Sequence, residues 1–138
     1  MTTARDIMHV GVTCIGEHET LQYAAQQMRD LDVGSLPVCG DDDRLRGIIT
    51  DRDIVTKCIA RGVDPANVTA GELADGMPVA IESQADVTEV LRAMKQHQVH
   101  RLPVIESQHP VGIISQAELA RHLPENLVGE FIEAVCAS

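Results

Sequence analysis

The sequence has 138 residues, of which 44% are hydrophobic, and this is enough for one compact domain or two small, mutually dependent halves. Its net charge of −10, single Phe, single Tyr and lack of Trp argue against nucleic acid binding, which needs a basic surface or aromatic stacking platforms. No apolar stretch approaches the length of a membrane span, and no basic N-terminal start precedes an apolar run. The cytoplasm is therefore the default location, with export by a non-classical route left open.

After a short leading segment at residues 3–8, the first half of the sequence predicts five elements in the order β-α-β-β-α. The first of them is a strand over residues 11–15. Apolar residues at helical spacing predict a helix over residues 17–32, with Thr20 as its N-cap. The β-rich runs 35–39 and 46–50 predict a hairpin, whose turn at residues 41–43 carries three solvated aspartates. A second helix then ends at Gly62.

The second half predicts the same order. After a turn-rich connector over residues 61–69, residues 69–74 correspond to the leading segment and residues 78–82 to the first strand. A helix is predicted over residues 86–96, where Asp86 and Glu89 are spaced as a capping box. Strands at 101–106 and 111–115 precede a helix over residues 119–123. A final apolar stripe over residues 124–135 predicts a helix that covers the fold or binds a partner.

The two halves are copies of one β-α-β-β-α unit. A shift of 66 positions places Leu36-Pro37-Val38 on Leu102-Pro103-Val104, and further matches follow once one loop residue is dropped. Each copy ends its hairpin with Gly, two aliphatic residues and a hydroxyl residue, and an acid follows three positions later. Only two copies are present, so the chain is a pseudo-symmetric pair and not a solenoid.

These motifs resemble a pair of CBS domains, the arrangement called a Bateman module, over about residues 4–123. The resemblance implies an α/β fold of two CBS domains, at residues 4–62 and 69–123, packed with pseudo-twofold symmetry. Residues 124–138 are expected to form a C-terminal helical extension. It also implies a stand-alone regulatory module with no attached enzyme or transporter.

Many members of this family bind adenine nucleotides in clefts between the two domains. The resemblance assigns phosphate to the hydroxyls of Thr50 and Ser115, and ribose to the carboxylates of Asp53 and Glu118. The backbone beside two Leu-Pro pairs would face the base, and two arginines could add positive charge on the phosphate side. These further candidates are Leu36, Pro37, Leu102, Pro103, Arg52 and Arg101.

The same corners have an interpretation that needs no ligand. A Thr or Ser followed three residues later by an acid is also a helix-capping box. In the second corner Glu118 replaces the Asp that the family pattern expects, and its longer side chain fits a cleft sized for Asp less well. The structural interpretation is therefore favoured for Ser115 and Glu118, and both interpretations stay open for Thr50 and Asp53.

The four cysteines have no CxxC spacing, which indicates neither a zinc knuckle nor a thioredoxin-like site. Cys58 falls on the apolar face of a predicted helix and is expected in the core. Cys14 and Cys39 end two strands that can be neighbours in the first sheet. They allow a disulfide, although the default compartment is reducing.

Two of the six histidines, His97 and His122, are predicted at the ends of the two helices of the second unit. In this family such helices often face a dimer partner, so these imidazoles and their symmetry mates could bind zinc in a homodimer. The alternative is that each imidazole only faces the negative end of its helix dipole.

Two hypotheses about function follow. In the first, the protein is a sensor: an adenine nucleotide binds, changes the shape of the dimer and alters its affinity for an unknown protein partner. In the second, it is a rigid, acidic, dimeric interaction protein stabilised by metal or a disulfide, with no nucleotide ligand. No pattern orders its Cys, His and Asp residues for catalysis, so no enzymatic activity is expected.

Overall fold

A computed structural model describes residues 2–11, 13–74, 79–123, 125–126 and 129 of the chain. The described residues form two compact units, one of residues 13–74 and the other of residues 2–11 with 79–123 and the short pieces that follow. The helices are α1 (Ala4–Ile7), α2 (Leu21–Leu31), α3 (Asp51–Lys57), α4 (Ala70–Leu73), α5 (Val87–His97) and α6 (Gln116–His122). The strands are β1 (His9–Val10), β2 (Ile15–Gly16), β3 (Ser35–Cys39), β4 (Leu45–Thr50), β5 (Ile81–Glu82), β6 (Arg101–Glu106) and β7 (His109–Ser115).

The unit of residues 13–74, here the first unit, contains a three-stranded sheet in the order β2-β3-β4. β2 is parallel to β3, and β3 is antiparallel to β4, as a hairpin connection requires. All five residues of β3 are buried, because helices cover this strand while its neighbours satisfy its backbone. Ile15, Leu36, Val38 and Ile49 pack there with α2, α3 and α4 around one apolar core.

The other unit, here the second unit, contains a four-stranded sheet in the order β1-β7-β6-β5. Three of its strands repeat the arrangement of the first unit, and β1 adds an antiparallel edge strand next to β7. Leu102, Val104 and Ile114 pack with α1, α5 and α6 in a separate core. The helix α1 therefore packs with the second half of the chain, whereas α4 packs with the first half.

The long helices α2 and α5 are amphipathic, and each begins and ends with a local device. Thr20 caps α2 by accepting a hydrogen bond from the Tyr23 amide at 3.1 Å, as predicted. Both helices end at a residue in the left-handed conformation, Asp32 and Gln98. The predicted Asp86–Glu89 capping box was wrong: Asp86 caps α5, but its carboxylate accepts from the Thr88 amide at 2.8 Å.

The predicted element types are confirmed, while several boundaries shift. The strands before each helix are only two residues long, and the helix predicted over residues 119–123 begins three residues earlier, at Gln116. In the first unit α3 stops at Lys57, a 3-10 turn follows over Ile59–Arg61, and Gly62 ends it with φ of 75°. The predicted final helix over residues 124–135 lies largely outside the described residues. Within the described residues, no helix has the length and apolar character needed to cross a membrane.

Candidate functional site

The first corner joins β4 to α3 at Thr50. The hydroxyl of Thr50 accepts a hydrogen bond from the Asp53 amide at 3.0 Å, and the Asp53 carboxylate accepts from the Thr50 amide at 3.2 Å. This reciprocal pair is a complete capping box. The other carboxylate oxygen of Asp53 lies 3.4 Å from the Lys57 ammonium, one helical turn further on. Both candidate residues are thus brought together, and both are engaged with their own helix.

The amides of the first turn of α3 all have acceptors within the unit. The Asp51 amide donates to the Gly34 carbonyl at 3.0 Å, and the Arg52 amide donates to the Asp51 carboxylate at 2.8 Å. The third amide, of Asp53, donates to Thr50 as described above. A phosphate that bound through these amides would have to displace these bonds, and it would lie beside the Asp51 carboxylate, which would repel it.

The second corner joins β7 to α6 at Ser115. Glu118 accepts hydrogen bonds from the Ser115 amide at 2.8 Å and from the Ser115 hydroxyl through the same carboxylate oxygen. Glu118 is 9% exposed, so its carboxylate is held inward against the capping residue. The longer side chain therefore folds back onto its own helix here.

Burial and hydrogen bonding act in opposite directions on Glu118. Burial works to raise the pKa of its carboxyl group, but hydrogen bonds from the Ser115 hydroxyl and amide work to lower it. Its own amide and the nearby His9 also lower the pKa, and the net result lies below the ordinary value. Glu118 is therefore a buried carboxylate that stays ionised.

The other residues that were predicted to contact a nucleotide differ in their burial and in their neighbours across the sheet. Leu36, Pro37, Leu102 and Pro103 are all buried in β3 and β6. In the second unit, half-buried Arg101 pairs in register with Ser115 across β6 and β7. In the first unit the partner of Thr50 is instead the uncharged, buried Ser35, and Arg52 is exposed on α3.

Two neighbours of these corners were not identified from the sequence. His100 Nδ1 lies 2.9 Å from the Gln116 side-chain nitrogen, so an imidazole and an amide lie beside Ser115. At the corresponding position of the first corner, Gly34 offers only its carbonyl, to the Asp51 amide. A sequence signal existed for Gly34 and His100. Each directly precedes the Leu-Pro strand of its repeat, where the backbone reaches the start of the second helix.

Cys14 and Cys39 form a disulfide in the first unit, with their Cα atoms 6.1 Å apart. This confirms the predicted pair. The bond closes the edge of the sheet where two-residue β2 lies parallel to β3, with Gly16 in register with Cys39. Cys58 is buried as a free thiol, as its position on an apolar helix face predicts.

His97 lies in the last turn of α5 and His122 in the last turn of α6, and both are exposed. Among the described residues, no group of three or more His, Cys, Asp or Glu side chains is arranged to hold a metal ion. The two imidazoles therefore stay a predicted zinc pair that needs further ligands from elsewhere, such as a second chain.

The family model for the CBS domain matches this chain twice, over residues 4–59 and 70–125. The chain belongs to the CBS domain family, as its motifs predicted. It is 56% identical over 137 residues to hypoxic response protein 1 of the actinobacterium Mycobacterium tuberculosis, covering 99% of this chain and 96% of that protein. The resemblance to this mycobacterial protein is visible in residues 18–21, 39–45, 50–55 and 120–125.

Two solved structures extend the comparison. A crystal structure of hypoxic response protein I with two coordinated zinc ions is 58% identical, has a TM-score of 0.82 and covers 89% of this chain and all of that chain. A CBS domain protein from Pyrobaculum aerophilum complexed with AMP is 18% identical, with a TM-score of 0.79, covering 94% of this chain and 98% of that chain. The second likeness is one of fold, and it confirms the α/β class.

Proposed function

We propose that this CBS-pair protein is a regulatory interaction protein that acts as a zinc-linked homodimer, with its first unit made rigid by a disulfide and no nucleotide needed for the folded state. The observation that carries this proposal is that Asp53 and Glu118, the two acids that would hold ribose, are each bound in the capping box of their own helix. A carboxylate that satisfies a helix N-terminus stabilises the fold without a ligand.

The zinc part of the proposal is supported by His97 and His122. Both imidazoles are exposed, so neither side chain has to leave an apolar core in order to bind a metal. A structural zinc site takes four ligands, and these two imidazoles would supply only half of them. A two-fold dimer repeats each ligand and so supplies the missing pair. The zinc ions in the 58% identical structure make zinc the first metal to test.

The test is a measurement of zinc content and molecular mass on the purified protein. We expect stoichiometric zinc in the wild type, and a chelator should convert the dimer to monomer or lower its melting temperature. The double variant His97→Ala with His122→Ala should lose the metal. His109→Ala is the matched control, since His109 lies on β7 and should leave zinc content unchanged. A dimer that contains no zinc, and whose mass and melting temperature do not change when the chelator is added, would contradict the proposal.

An adenine nucleotide sensor remains the second candidate, and one observation favours it at the second corner. Arg101 lies in register with Ser115, and His100 and Gln116 lie beside it, so this corner offers donors to a phosphate. The AMP held by the distant relative of the same fold makes AMP the first nucleotide to test.

Thermal unfolding with AMP, ADP, ATP and S-adenosylmethionine separates the two candidates. A nucleotide present at 100 times its dissociation constant should stabilise the protein by about 2.7 kcal/mol. Arg101→Ala should abolish that gain if the second corner holds the phosphate, and Arg52→Ala on α3 is the control from the first corner. If none of the four ligands shifts the melting temperature, the sensor candidate is removed.

A further inference from the structure

The Cys14–Cys39 disulfide lies at the start of a series of contacts that leads to the helix α4. The two-residue strand β2 comes directly after Cys14, and its last residue, Gly16, is in register with Cys39. The Glu17 amide then donates to the Cys39 carbonyl at 2.9 Å. The disulfide therefore holds the turn over residues 16–19 at the end of β3, because it joins the residue before β2 to the last residue of β3.

The helix α4 is attached to that turn through its backbone. Its first amide, of Ala70, donates to the Glu19 carbonyl at 2.7 Å, and the Gly71 amide donates to the Glu17 carbonyl at 2.9 Å. The side chains of Ala70 and Ala74 pack in the apolar core of the first unit. A helix of four residues is too short to be stable in isolation, so α4 depends on these contacts for its position.

The equivalent helix of the second unit, α1, has the same two backbone bonds and further attachments. The Ala4 amide donates to the Ala85 carbonyl at 2.8 Å, and the Arg5 amide donates to the Ser83 carbonyl at 3.0 Å. The Arg5 side chain also forms an exposed ion pair with Glu106, at the end of β6, which adds a modest stabilisation. The strand β1 begins two residues after α1 and pairs with β7. The helix α1 is thus held to its sheet independently of the turn after β5.

The first unit cannot form the corresponding ion pair. By the shift of 66 positions, the equivalents of Arg5 and Glu106 are Gly71 and Gly40, which have no side chains. A Cβ atom added to Gly71 would lie 2.8 Å from the Glu17 carbonyl oxygen, closer than real Cβ atoms approach. Both backbone hydrogen bonds from α4 to the turn therefore depend on a segment that the disulfide holds in place.

The two sulfur atoms differ in their exposure to a reductant. Cys14 is half-buried, whereas Cys39 is only 4% exposed, so a thiolate from outside reaches the Cys14 sulfur first. When the reductant is a dithiol, its first thiolate bonds to Cys14 Sγ, the bond between the two cysteines breaks, and Cys39 leaves as a thiolate that takes up a proton. The second thiol of the reductant then displaces Cys14, which also becomes a thiol. Two electrons pass to the protein, and the dithiol becomes a disulfide.

We infer that the Cys14–Cys39 disulfide is a redox switch for α4, which is packed on the first unit in the oxidised protein and released by a dithiol reductant. The inference rests on the disulfide-stiffened first unit of the proposed function and makes that rigidity depend on thiol state. The helix α4 contacts β2 and β4, where a Cβ atom at Gly47 would lie 3.0 Å from the Ala74 side chain. Its release exposes apolar residues that pack in the same core, Ile15 and Ile49. The reduced protein thus presents an apolar surface that the oxidised protein covers.

The test is amide hydrogen exchange of the full-length protein, followed by NMR before and after reduction. The reductant is tris(2-carboxyethyl)phosphine, because a dithiol would also bind zinc, and mass spectrometry verifies the thiol state. We expect the amides of Ala70 and Gly71 to exchange at least about tenfold faster after reduction, since local opening of α4 becomes easier. The amides of Ala4 and Arg5, their equivalents in the second unit, are the internal control and should not change.

The pattern of exchange within the first unit separates release of α4 from a general loss of stability. Release of α4 accelerates the amides of Ala70 and Gly71 more than those of the β3–β4 pair, which does not depend on the turn after β2. Equal acceleration throughout the first unit, or unchanged exchange at Ala70 and Gly71, would overturn the inference.

Substitutions test the switch without a reductant. Cys14→Ser with Cys39→Ser should show the fast exchange at Gly71 of the reduced wild type and should not respond to the phosphine. Cys58→Ala is the matched control, since it removes a buried free thiol of the same unit and keeps the disulfide. Its exchange at Gly71 should still depend on reduction. A double serine variant whose Gly71 amide stays as protected as in the oxidised wild type would contradict the switch.

Zinc content and molecular mass are measured on the same samples. They test the zinc-linked homodimer separately from the exchange rates, so failure of the dimer proposal and failure of the switch are distinguishable. Slow exchange at Gly71 in a reduced protein that retains zinc and dimer mass would overturn the switch alone.

Discussion

The two units stabilise the same short parallel strand pair in different ways. In the first unit, β2 and β3 are joined by the Cys14–Cys39 disulfide at the edge of a three-stranded sheet. In the second unit, the equivalent pair β5–β6 has Ala80 and Ile105 at the corresponding positions, and the strand β1 enlarges that sheet to four strands. The comparison indicates that the first unit holds this strand pair with a covalent bond, whereas the second unit holds it without one and enlarges its sheet at the opposite edge, where β1 pairs with β7.

Removal of the disulfide is the strongest test of this comparison. The bond closes a loop with a sequence separation of 25 residues, and closure of such a loop contributes about 3 to 4 kcal/mol. We expect Cys14→Ser with Cys39→Ser to lower the free energy of unfolding by this amount in urea denaturation. Reductant should destabilise the wild type equally and should not affect the double variant. A wild type that unfolds at the same urea concentration with and without reductant would refute the role of the bond.

Asp53 and Glu118, the acids of the two corners, should contribute different amounts to the free energy of unfolding. Glu118→Ala removes a buried acceptor and leaves the Ser115 amide and hydroxyl without it, which should cost about 2 kcal/mol. Asp53→Ala removes a more exposed capping acceptor and should cost about 1 kcal/mol. Chemical denaturation of both variants measures the difference. If Asp53→Ala proved the more damaging substitution, the packing argument for Glu118 would be wrong.

A smaller effect of pH should follow from the lowered pKa of Glu118. A carboxyl group whose pKa is lower when folded stabilises the protein above its unfolded value, here near 4.5, and loses this contribution as pH falls through the folded value. The free energy of unfolding should therefore fall less steeply with acid in Glu118→Gln than in the wild type. Titration of stability between pH 7 and pH 3 measures the slopes. Identical slopes would show that Glu118 does not contribute to the acid sensitivity.

The sequence predicted the parts of the fold that depend on local patterns. The strands at Ser35–Cys39 and Arg101–Glu106 were predicted with their observed ends, because polar turns and buried runs mark them clearly. The exchange of α1 and α4 between the units was not predicted, since no local pattern specifies which distant sheet a four-residue helix covers. Such pairing depends on contacts far apart in the sequence.

The candidate site, too, was predicted only in part from the sequence. The spacing of Thr50 and Asp53 showed that they would meet, and they do. Spacing alone does not decide whether a carboxylate faces a ligand or its own helix, because both arrangements use the same residues. The attachment of α4 to the turn after β2 gave no pattern at all, since it arises from the close approach of the Glu17 carbonyl to a backbone position, Gly71.

The crossed placement of α1 and α4 has a consequence for synthesis on the ribosome. The core of the first unit includes Ala70 and Ala74, so it closes only after residues well beyond the hairpin have left the exit tunnel. The N-terminal residues Ala4 and Ile7 are made first, yet they pack against Leu102 and Ile114, which are made near the end. During translation the apolar side of α1 is therefore exposed to solvent until the second half of the chain is made. In a protein truncated midway, this apolar side would stay exposed.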